Sequence, residues 1–433
     1  SECSVEPGTA EDVGKILQIL GATRTPFAVK SGGHTANEGF SSTTGVQIAM
    51  SRFNNVVYDN ESQTVTYGTG LIWDEVYAAL EPYGVNVVGA RITGVGVGGV
   101  SNGGGYSWLT NQHGLTVDNI VSFEIVLPNG RVVNVTEKSD PDLFFSTKGV
   151  VTQIEAKAYT QSQVWGGVSI IVGAQPDALN AATLKFQANV MDPKAQVLPT
   201  YTVAGGMPVM TILMFYDAPN QPPGIFDDFL AIPAIEQDIS TRSFLSLVQS
   251  LPNATLGARA VYNTVSLTHF TPGLLEAINN ETQAQFWSQK LGPESASLIS
   301  YDVELFLETI FTHGTVQSSA YPPSRKHGLL PLNIYYAWES SSADPIVRAA
   351  AMQSAAHLKA VAMAEGQDIG AASLYGNYAI KGTPVEQIFG ESLPRMRATK
   401  RRVDPQDVMG LAGGWKVCGT CSPILIDMST NPA

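Results

Sequence analysis

Short apolar and β-branched runs, separated by glycine turns, characterise the first third of the chain. They predict strands at residues 27–30, 46–50, 64–67, 120–127 and 131–135. The turn Pro128-Asn129-Gly130 joins the last two runs and predicts a hairpin, because Asn-Gly accepts positive φ. Before that hairpin, apolar residues at helical spacing predict an amphipathic helix over residues 72–82. These elements together predict an α+β unit.

The pattern changes after residue 152, where the apolar runs become longer. Strands are predicted at residues 168–172, 200–203, 209–216, 300–307 and 332–338, and helices at residues 178–191, 345–365 and 385–400. The Pro- and Gly-rich stretches 219–223 and 321–328 predict surface loops. A second α+β unit is therefore expected after the first.

The composition is that of a well-packed globular protein, with 44% apolar and 15% charged residues among 433. This length favours two domains over one. The 38 acidic and 25 basic residues give a formal net charge of -13, which opposes binding to nucleic acid or to an anionic membrane surface. No apolar run in the sequence is long enough to span a bilayer.

Four Asn-x-Ser/Thr acceptor sequences indicate a secreted glycoprotein. They begin at Asn60, Asn134, Asn253 and Asn280. The chain starts at Ser1-Glu2-Cys3 without a basic stretch followed by a hydrophobic one, as is expected of a mature protein. The sequence therefore predicts an extracellular location, with N-glycans at these positions.

Cysteines occur only near the two ends of the chain, at Cys3, Cys418 and Cys421. Nothing between the ends can be cross-linked, so packing must stabilise the fold. The spacing Cys418-Gly419-Thr420-Cys421 is that of a dithiol redox motif, but no strand and helix flank it, and a tail clip with or without Cys3 is favoured. Zinc is disfavoured because no nearby His pair completes four ligands, and no metal site is predicted.

Two glycine-rich tracts carry the chemistry that the sequence predicts. The first is Lys30-Ser31-Gly32-Gly33-His34-Thr35, and the second runs from Gly94 to Gly99 and on to Gly103-Gly104-Gly105. A backbone without β-carbons can approach an extended anionic cofactor and direct N–H groups at its phosphates. A nicotinamide site is disfavoured, because no helical pattern opens at residues 103–105. Hydrolase chemistry is disfavoured too, since the stretch around Ser107 lacks the closing glycine of a nucleophile elbow.

Further segments accompany these tracts in an order that matches one protein family. In the N-terminal part they are Gly39-Phe40-Ser41-Ser42, residues 65–70 with Trp73, Gly105-Tyr106-Ser107, His113-Gly114-Leu115, Asp118-Asn119 and Asp142-Leu143-Phe144. The C-terminal part adds Tyr375-Gly376-Asn377-Tyr378, Phe389-Gly390, Arg395, Val403-Asp404-Pro405 and Gly413-Gly414. By these motifs the chain resembles the vanillyl-alcohol oxidase and p-cresol methylhydroxylase (PCMH) superfamily, in particular its berberine bridge enzyme-like branch of secreted oxidases.

The resemblance implies an α+β fold in which a PCMH-type FAD-binding domain is built from both chain ends. Its expected segments are residues 1–157 and 374–433, around a substrate domain of residues 158–373 that has an antiparallel sheet flanked by helices. His34 is expected to be joined covalently to the 8α-methyl of FAD, and a neutral imidazole is a competent nucleophile near neutral pH. The other residues expected at the cofactor are Lys30, Ser31, Gly32, Gly33, Thr35, Gly94, Val95, Gly98, Gly99, Gly104, Gly105, Ser107 and Asn377.

Many relatives carry a second, cysteinyl flavin bond, but residues 89–94 contain no cysteine, so a single bond is expected here. Arg91 in this stretch either contacts the cofactor or caps a surface loop. The resemblance places Val95 near the flavin edge where oxygen arrives, and its small side chain favours an oxidase over a dehydrogenase.

Oxidation of an alcohol needs a base for the hydroxyl proton, and a tyrosine serves if a neighbouring cation or hydrogen-bond donor lowers its pKa. The resemblance gives this role to Tyr378, with Tyr375 beside it and Asn377 orienting the ring system. Without the family motif, paired tyrosines are more often packing residues.

A carboxylate is the alternative base, because some relatives use one. The aspartate that often follows Asn-Tyr in the family is Ile380 here. Asp302 and Glu304 lie on a predicted strand and could supply or support a carboxylate, although a solvated strand face is favoured for them.

One segment departs from the family pattern. Relatives continue Lys-Gly with a Gly/Asn-rich stretch and Asn-Phe-Gly-Ile before Val-Thr, whereas this chain runs Lys148-Gly149-Val150-Val151-Thr152. Either the printed sequence omits this stretch or the protein has lost it. A true deletion would weaken noncovalent FAD binding, since the stretch normally lines the cofactor site, and would leave retention to the covalent bond.

The sequence thus predicts a secreted oxidase with monocovalent FAD. It transfers hydride from an alcohol-type or related small molecule to flavin N5, with molecular oxygen as the acceptor and hydrogen peroxide as the product. Two alternatives remain: a dehydrogenase of the same fold with a non-oxygen acceptor, and a flavin-carrying or carbohydrate-binding protein without turnover. The substrate stays open among alkaloids, oligosaccharides, phenolic alcohols and secondary-metabolite intermediates, because it depends on the central segment.

Overall fold

A computed structural model describes residues 1–173, 175–250, 258–282 and 289–417. The strands are β1 (Cys3–Val5), β2 (Phe27–Lys30), β3 (Val46–Ala49), β4 (Val56–Asp59), β5 (Thr64–Gly68), β6 (Val85–Asn86), β7 (Ile120–Val126), β8 (Val132–Val135), β9 (Val150–Lys157), β10 (Tyr159–Thr160), β11 (Val164–Val172), β12 (Ala195–Ala204), β13 (Met207–Tyr216), β14 (Glu236–Arg242), β15 (Arg259–Leu267), β16 (Ala296–Asp302) and β17 (Leu330–Trp338). The α-helices are α1 (Ala10–Thr23), α2 (Trp73–Leu80), α3 (Val97–Gly103), α4 (Thr110–His113), α5 (Pro141–Ser146), α6 (Pro176–Asn189), α7 (Asp227–Leu230), α8 (Phe244–Val248), α9 (Pro272–Thr282), α10 (Gln289–Leu291), α11 (Asp344–Ala364), α12 (Val385–Phe389) and α13 (Leu393–Val403).

Within the described residues these strands form four sheets. A parallel sheet has the order β1-β3-β2, and a two-stranded antiparallel sheet pairs β10 with β6. An antiparallel sheet in the first part of the chain has the order β4-β5-β9-β7-β8. The large sheet, also antiparallel, has the order β14-β11-β13-β12-β16-β17-β15. Separate helices accompany these sheets, which confirms the α+β prediction.

The large sheet has two different faces, because successive side chains along a strand point to opposite sides. One face is apolar and packs on α9 and α11, with Tyr201, Ile299 and Tyr336 in the shared core. The opposite face is apolar near β11 and β13, where Leu213 and Phe215 join the core of the first part of the chain. Across β16, β17 and β15 this second face becomes polar. Asp302, Asn333 and Tyr262 lie on that polar part.

The two ends of the chain are joined by packing and by backbone contacts. Phe27 and Ala412 form an isolated parallel bridge and belong to one hydrophobic cluster with α1. A β-carbon on Gly413 would lie 1.9 Å from the carbonyl oxygen of Gly39, so only glycine permits this approach. The C-terminal segment therefore completes the structure begun by the N-terminal residues.

Most of the predicted strands and helices are present, and the predicted hairpin is the antiparallel pair β7 and β8. Helix α1 was missed, although Val13, Leu17 and Leu20 lie at helical spacing and are buried. Helix α3 was also missed, since its sequence Val-Gly-Gly-Val-Ser-Asn-Gly carries three glycines, which favour other conformations.

Two element predictions need correction. The predicted strand 300–307 is too long, because β16 pairs with β17 only as far as Asp302 and Asn333. Glu304 therefore lies beyond the ladder. The predicted surface loop 321–328 is wrong at its start, where Tyr321 is buried and its hydroxyl lies 3.0 Å from that of Tyr106. Residues 219–223 lie in a surface loop, as predicted.

Among the described residues, no helix has the length and apolar character needed to cross a membrane. The acceptor asparagines Asn60, Asn134 and Asn280 are exposed. Cys3 is exposed and has no disulfide partner among the residues that the structure describes. Asn253, Cys418 and Cys421 lie outside the described residues, so the glycan at the first and the pairing of the two cysteines stay predictions.

Candidate active site

A cavity of about 390 Å³ lies where the two chain ends meet. Its polar and backbone wall comes from both glycine tracts, and its apolar wall comes from the sheet of the first part and from the C-terminal segment. The lining includes Ser31, Thr69, Gly98, Gly99, Asn102, Gly104, Phe144, Phe145, Lys148, Gly149, Tyr321, Phe389, Met396, Gly414 and Trp415. The cavity thus joins the motifs that the sequence analysis singled out at opposite ends of the chain.

The two glycine tracts contact each other through their backbones. A β-carbon on Gly32 would lie 2.6 Å from Cα of Gly96, and one on Gly96 would lie 2.4 Å from the nitrogen of Gly32. Ser31 fixes the contact, since its Oγ donates to the carbonyl of Thr69 at 2.5 Å and accepts from the amide of Gly98 at 3.1 Å. These glycines are needed for chain packing as well as for any cofactor.

The cavity wall offers bare backbone to a ligand. No atom lies within 4 Å of the position that a β-carbon would take on Gly99 or Gly414. Both residues line the cavity, so their main chains face open space. A long anionic cofactor can lie against such a surface, which fits the FAD that the resemblance implies.

The turn between α5 and β9 is short and also lines the cavity. Thr147 has φ +40° and Gly149 has φ +159°, and a β-carbon on Gly149 would lie 2.5 Å from the carbonyl oxygen of Val126. The chain therefore closes tightly at the place where relatives carry a longer glycine-rich stretch. Lys148 and Gly149 remain at the cavity wall.

His34 lies beside the aromatic part of the site. Its ring is 6.2 Å from that of Tyr262, at an interplanar angle of 21°, and Tyr262 is in turn 6.1 Å from Tyr378 at the same angle. His34 is exposed, yet its imidazole has lost part of its hydration, which lowers its pKa. The imidazole is therefore neutral near neutral pH, the form that can act as a nucleophile.

Tyr378, Glu304 and Arg91 form a closed hydrogen-bonded triangle. The Tyr378 hydroxyl donates to Glu304 Oε1 at 2.9 Å, and Arg91 Nη2 donates to Glu304 Oε2 at 2.7 Å and to the Tyr378 oxygen at 3.0 Å. The side chains of Arg91 and Glu304 are only 7% and 1% exposed, whereas Tyr378 is half-buried. A buried proton acceptor is thus connected to a partly exposed phenol.

Burial dominates the electrostatics of this triangle. It raises the pKa of Glu304 to about 7, although Arg91 acts in the opposite direction. Burial and the Glu304 charge also raise the pKa of Tyr378, and Arg91 offsets only part of this. Arg91 does lower the pKa of Tyr378, as expected of a neighbouring cation, but burial and the Glu304 carboxylate outweigh it, so the net pKa lies above its ordinary value.

Tyr375 is buried and Asn377 is exposed, and the two side chains contact each other. Asn377 Nδ2 donates to the Tyr375 hydroxyl at 2.9 Å and to the carbonyl of Gly99 at 3.2 Å. The close approach of Asn377 requires Gly103, where a β-carbon would meet Oδ1 at 2.1 Å. Burial raises the pKa of Tyr375 to about 12. This contact links the C-terminal motif directly to the second glycine tract.

The remaining residues of the first tract lie at the rim. Lys30 ends β2 with an exposed side chain, and Thr35 is exposed and accepts a hydrogen bond from the amide of Asn37 at 3.2 Å. Gly33 has φ +74°, so it provides the turn that leads to His34.

Several residues of the second tract have structural contacts of their own. The amide of Gly94 donates to Asp74 at 2.9 Å, and Val95 is 9% exposed. Gly105 packs on Thr116, and Ser107 is fully buried in a turn where its hydroxyl accepts from the amide of Leu109 at 3.2 Å. Their assignment to the cofactor stays a prediction.

The structure corrects the sequence analysis at Arg91, Asp302 and Glu304. Arg91 does not cap a surface loop, because it is buried against Glu304. Glu304 and the half-buried Asp302 do not form a solvated strand face. The sequence signal that could have found them is a pair of carboxylates two positions apart in an otherwise apolar stretch, Tyr301-Asp302-Val303-Glu304-Leu305.

Comparison with known proteins supports the same chemistry. Residues 1–136 match the model of a family described as FAD binding domain. The FAD-dependent monooxygenase drtC of Aspergillus calidoustus is 31% identical over 96% of this chain and 83% of its own length. An uncharacterized FAD-linked oxidoreductase of Arthroderma benhamiae is 30% identical over 81% of this chain and 72% of its own length. The chain belongs to this family of FAD-dependent oxidoreductases.

Solved flavoproteins share the fold of this FAD-dependent oxidoreductase. The 6-hydroxy-D-nicotine oxidase of Arthrobacter nicotinovorans matches with a TM-score of 0.77 at 19% identity, over 96% of this chain and 91% of that one. A berberine bridge enzyme variant matches with a TM-score of 0.73 at 17% identity, over 94% and 88%. A chitooligosaccharide oxidase matches with a TM-score of 0.73 at 16% identity, over 95% and 92%. These likenesses confirm the berberine bridge enzyme-like and PCMH-type fold.

Proposed function

We propose that this FAD-dependent oxidoreductase is a secreted oxidase that holds FAD through a single covalent bond to His34. It takes a hydride from an alcohol-type carbon to flavin N5 and uses oxygen as the acceptor, with hydrogen peroxide as product. The observation that carries this proposal is the triangle of Tyr378, Glu304 and Arg91. It connects a buried proton acceptor, Glu304, to the partly exposed hydroxyl-bearing ring of Tyr378.

Attachment at His34 is supported by its place between the two parts of the site. The same loop continues from Ser31, which lines the cavity, to the imidazole, which lies 6.2 Å from Tyr262. The lowered pKa of His34 keeps the ring neutral and nucleophilic. With residues 89–94 free of cysteine, no second bond of the cysteinyl kind forms there.

FAD, when bound, supplies the hydride acceptor of the reaction. The protein's own side chains accept the proton of the substrate hydroxyl. Tyr378 is partly exposed, and the proton of its hydroxyl points at Glu304. As Tyr378 takes the proton of the substrate hydroxyl, it gives its own to Glu304, so no charged phenolate accumulates. Glu304 is suited to this because its pKa of about 7 makes it a proton acceptor near neutral pH.

Arg91 positions the two acidic groups in this scheme. One of its nitrogens contacts both Glu304 and the Tyr378 oxygen, so it fixes their relative orientation. Its charge also makes the carboxylate form of Glu304 accessible inside a dry site, since it opposes the effect of burial on the pKa.

The domain division of residues 1–157 with 374–433 against 158–373 is part of the proposal. It is supported by the bridge of Phe27 with Ala412 and by the cavity that both ends line. Secretion and N-glycans are supported by the exposed acceptors Asn60, Asn134 and Asn280.

Acid precipitation tests the covalent bond. The yellow colour should stay in the pellet of the wild-type protein and be lost from that of His34→Ala. His269→Ala, which changes an exposed histidine elsewhere, should retain it. A colourless wild-type pellet would contradict covalent attachment, and a yellow His34→Ala pellet would place the bond elsewhere.

Anaerobic mixing with alcohols, followed by air, tests the reaction. We expect flavin absorbance to bleach with a substrate and return rapidly in air, with one peroxide formed per product. Slow return would indicate a dehydrogenase, and an absence of bleaching by sugars, alcohols and amines would indicate a binding protein. Incorporation of labelled oxygen into the product would indicate a monooxygenase, the activity named for the Aspergillus relative.

A further inference from the structure

A row of polar side chains crosses three strands of the large sheet beside the triangle. Thr200 on β12 is in register with Asp302 on β16, which is in register with Asn333 on β17. Because aligned residues of neighbouring strands lie on the same face, the three side chains form one strip across the polar face.

Asp302 is held at the centre of this strip. Thr200 Oγ1 donates to its Oδ1 at 3.0 Å, and Asn333 Nδ2 donates to its Oδ2 at 2.8 Å. The two donors fix the orientation of the carboxyl plane. Each carboxyl oxygen still has a second lone pair that can accept another hydrogen bond. Asp302 is only half-buried, whereas Thr200 and Asn333 are buried. The carboxyl is therefore oriented and remains accessible.

Two polar atoms at this part of the site are buried without a hydrogen-bond partner. They are Oδ1 of Asn333 and Nη1 of Arg91. A buried polar group without a partner is destabilising, because it has lost its hydrogen bonds to water. Their occurrence beside an oriented, half-open carboxyl indicates a surface built to bind a polar group that comes from outside the chain.

Aromatic rings lie next to the strip on the same face. Tyr262 and Tyr335 are directly opposite each other on β15 and β17, with ring centroids 4.7 Å apart, and both are half-buried. Tyr262 also connects the strip to Tyr378, whose ring is 6.1 Å away. A planar substrate body against these rings would have its oxidised end at Tyr378 and a polar substituent at Asp302.

We propose that Asp302, oriented by Thr200 and Asn333, determines substrate specificity by accepting a hydrogen bond from a second polar group of the substrate, a hydroxyl or an ammonium group. This inference rests on the proposed function and adds the substrate class: a ring compound with an oxidisable alcohol and a separate hydrogen-bond donor. Burial raises the pKa of Asp302, and a hydrogen-bond donor supplied by a ligand would stabilise the charged form of this carboxyl.

Three probes of matched shape test the donor: para-methylbenzyl, para-(hydroxymethyl)benzyl and para-(aminomethyl)benzyl alcohol. Their dissociation constants are measured calorimetrically with the FAD-loaded protein under nitrogen. The two donor-bearing probes should bind wild type about tenfold or more tighter than the methyl probe, as expected of a hydrogen bond to a charged group. Asp302→Asn should remove most of the preference for the ammonium probe and less of that for the hydroxyl probe.

Two further variants keep the test decisive if Asp302→Asn does not fold. Thr200→Val removes one orienting donor and should weaken binding of both donor probes without affecting the methyl probe. Asp238→Asn, at an exposed carboxylate on the far edge strand β14, should change nothing. Equal affinity of wild type for all three probes, binding of none, or the same loss in Asp238→Asn would overturn the proposal. Asp302-dependent binding without any flavin bleaching would instead refute the proposed oxidation.

Discussion

The Tyr378 hydroxyl donates a hydrogen bond of 2.9 Å to Glu304, a residue 74 positions earlier in the chain. The phenol belongs to the C-terminal segment, and the carboxylate follows a strand of the large sheet. Burial places the pKa of Glu304 at about 7, so the pair can exchange a proton under ordinary conditions. This contact makes the activity depend on the correct docking of the two parts of the chain.

The pH dependence of kcat/KM should report the ionisation of Glu304. Only the carboxylate form can accept a proton, and its fraction increases with pH, so activity should rise through about pH 7 and then level off. Glu304→Gln should lower kcat/KM about 10²–10⁴-fold and remove this acid limb. Glu308→Gln, at an exposed side chain nearby, should preserve the profile. An unchanged acid limb in Glu304→Gln would assign the limb to another group.

Removal of single hydroxyls should separate the two tyrosines. Tyr378→Phe should reduce kcat by about 10²–10⁴-fold, because the substrate proton loses its acceptor. Tyr375→Phe deletes the bonds of its hydroxyl to Asn377 and to the backbone of Gly105 and leaves Tyr378 and Glu304 in contact, so it should change kcat much less. Single-turnover bleaching of flavin absorbance measures both. Comparable losses of kcat in the two variants would contradict the role of the Tyr378 hydroxyl as the acceptor of the substrate proton.

Replacement of Arg91 by Gln should leave a buried carboxyl without its cation. Because Arg91 lowers the pKa of Glu304, the acid limb of kcat/KM should move to higher pH in Arg91→Gln. The pKa of Glu304 is higher in the folded protein than in the unfolded chain. Below the unfolded-state pKa the carboxyl is neutral in both states, and the folded state loses stability as pH rises from there through the folded-state pKa. Destabilisation should therefore be larger above pH 7 than below it, reaching about 3–5 kcal/mol. Denaturant unfolding at two pH values measures it.

A double variant provides the control for Arg91. Arg91→Gln with Glu304→Gln removes both charges, so the pH dependence of the free energy of unfolding that arises from this pair should disappear. If the single and double variants lose the same stability at every pH, the pair does not behave as a coupled unit.

Alanine at two glycines should have opposite consequences. Gly96→Ala places a β-carbon 2.4 Å from the backbone nitrogen of Gly32 and should prevent or severely weaken folding, as judged by circular dichroism. Gly99→Ala has open space and should fold normally. In a His34→Ala background, Gly99→Ala should nevertheless lower the FAD retained on gel filtration, since Gly99 lines the cavity. Full retention there would remove Gly99 from the cofactor surface.

Local signals in the sequence were sufficient for much of the fold. Apolar and β-branched runs predicted β7 and part of β12, and Asn129-Gly130 predicted the hairpin, because turn chemistry depends on adjacent residues. Ser31, Gly98, Gly99 and Gly104 of the glycine tracts line the cavity, and the segment from Tyr375 to Tyr378 contacts the second tract through Asn377 and Gly99. The confirmed family resemblance depended on the same short motifs.

The contacts that set the chemistry could not be predicted in this way. Arg91 and Glu304 are 213 positions apart, and nothing local to either residue indicates its partner. The raised pKa of Tyr378 follows from burial and from that same carboxylate, both of which exist only after folding. Asp302 was assigned to a solvated face because charged residues on strands usually are exposed.

The contact of Gly413 with Gly39 has a consequence for biosynthesis. Ser31 and Gly98 line one side of the cavity, and Gly414 and Trp415 line another. During translation the segment with the first two residues leaves the ribosome long before the segment with the last two. The cavity can form only after both segments have emerged, so a nascent chain cannot bind its cofactor stably. FAD binding must therefore be a late maturation event, and a substitution that displaces this C-terminal stretch would yield an intact but colourless polypeptide.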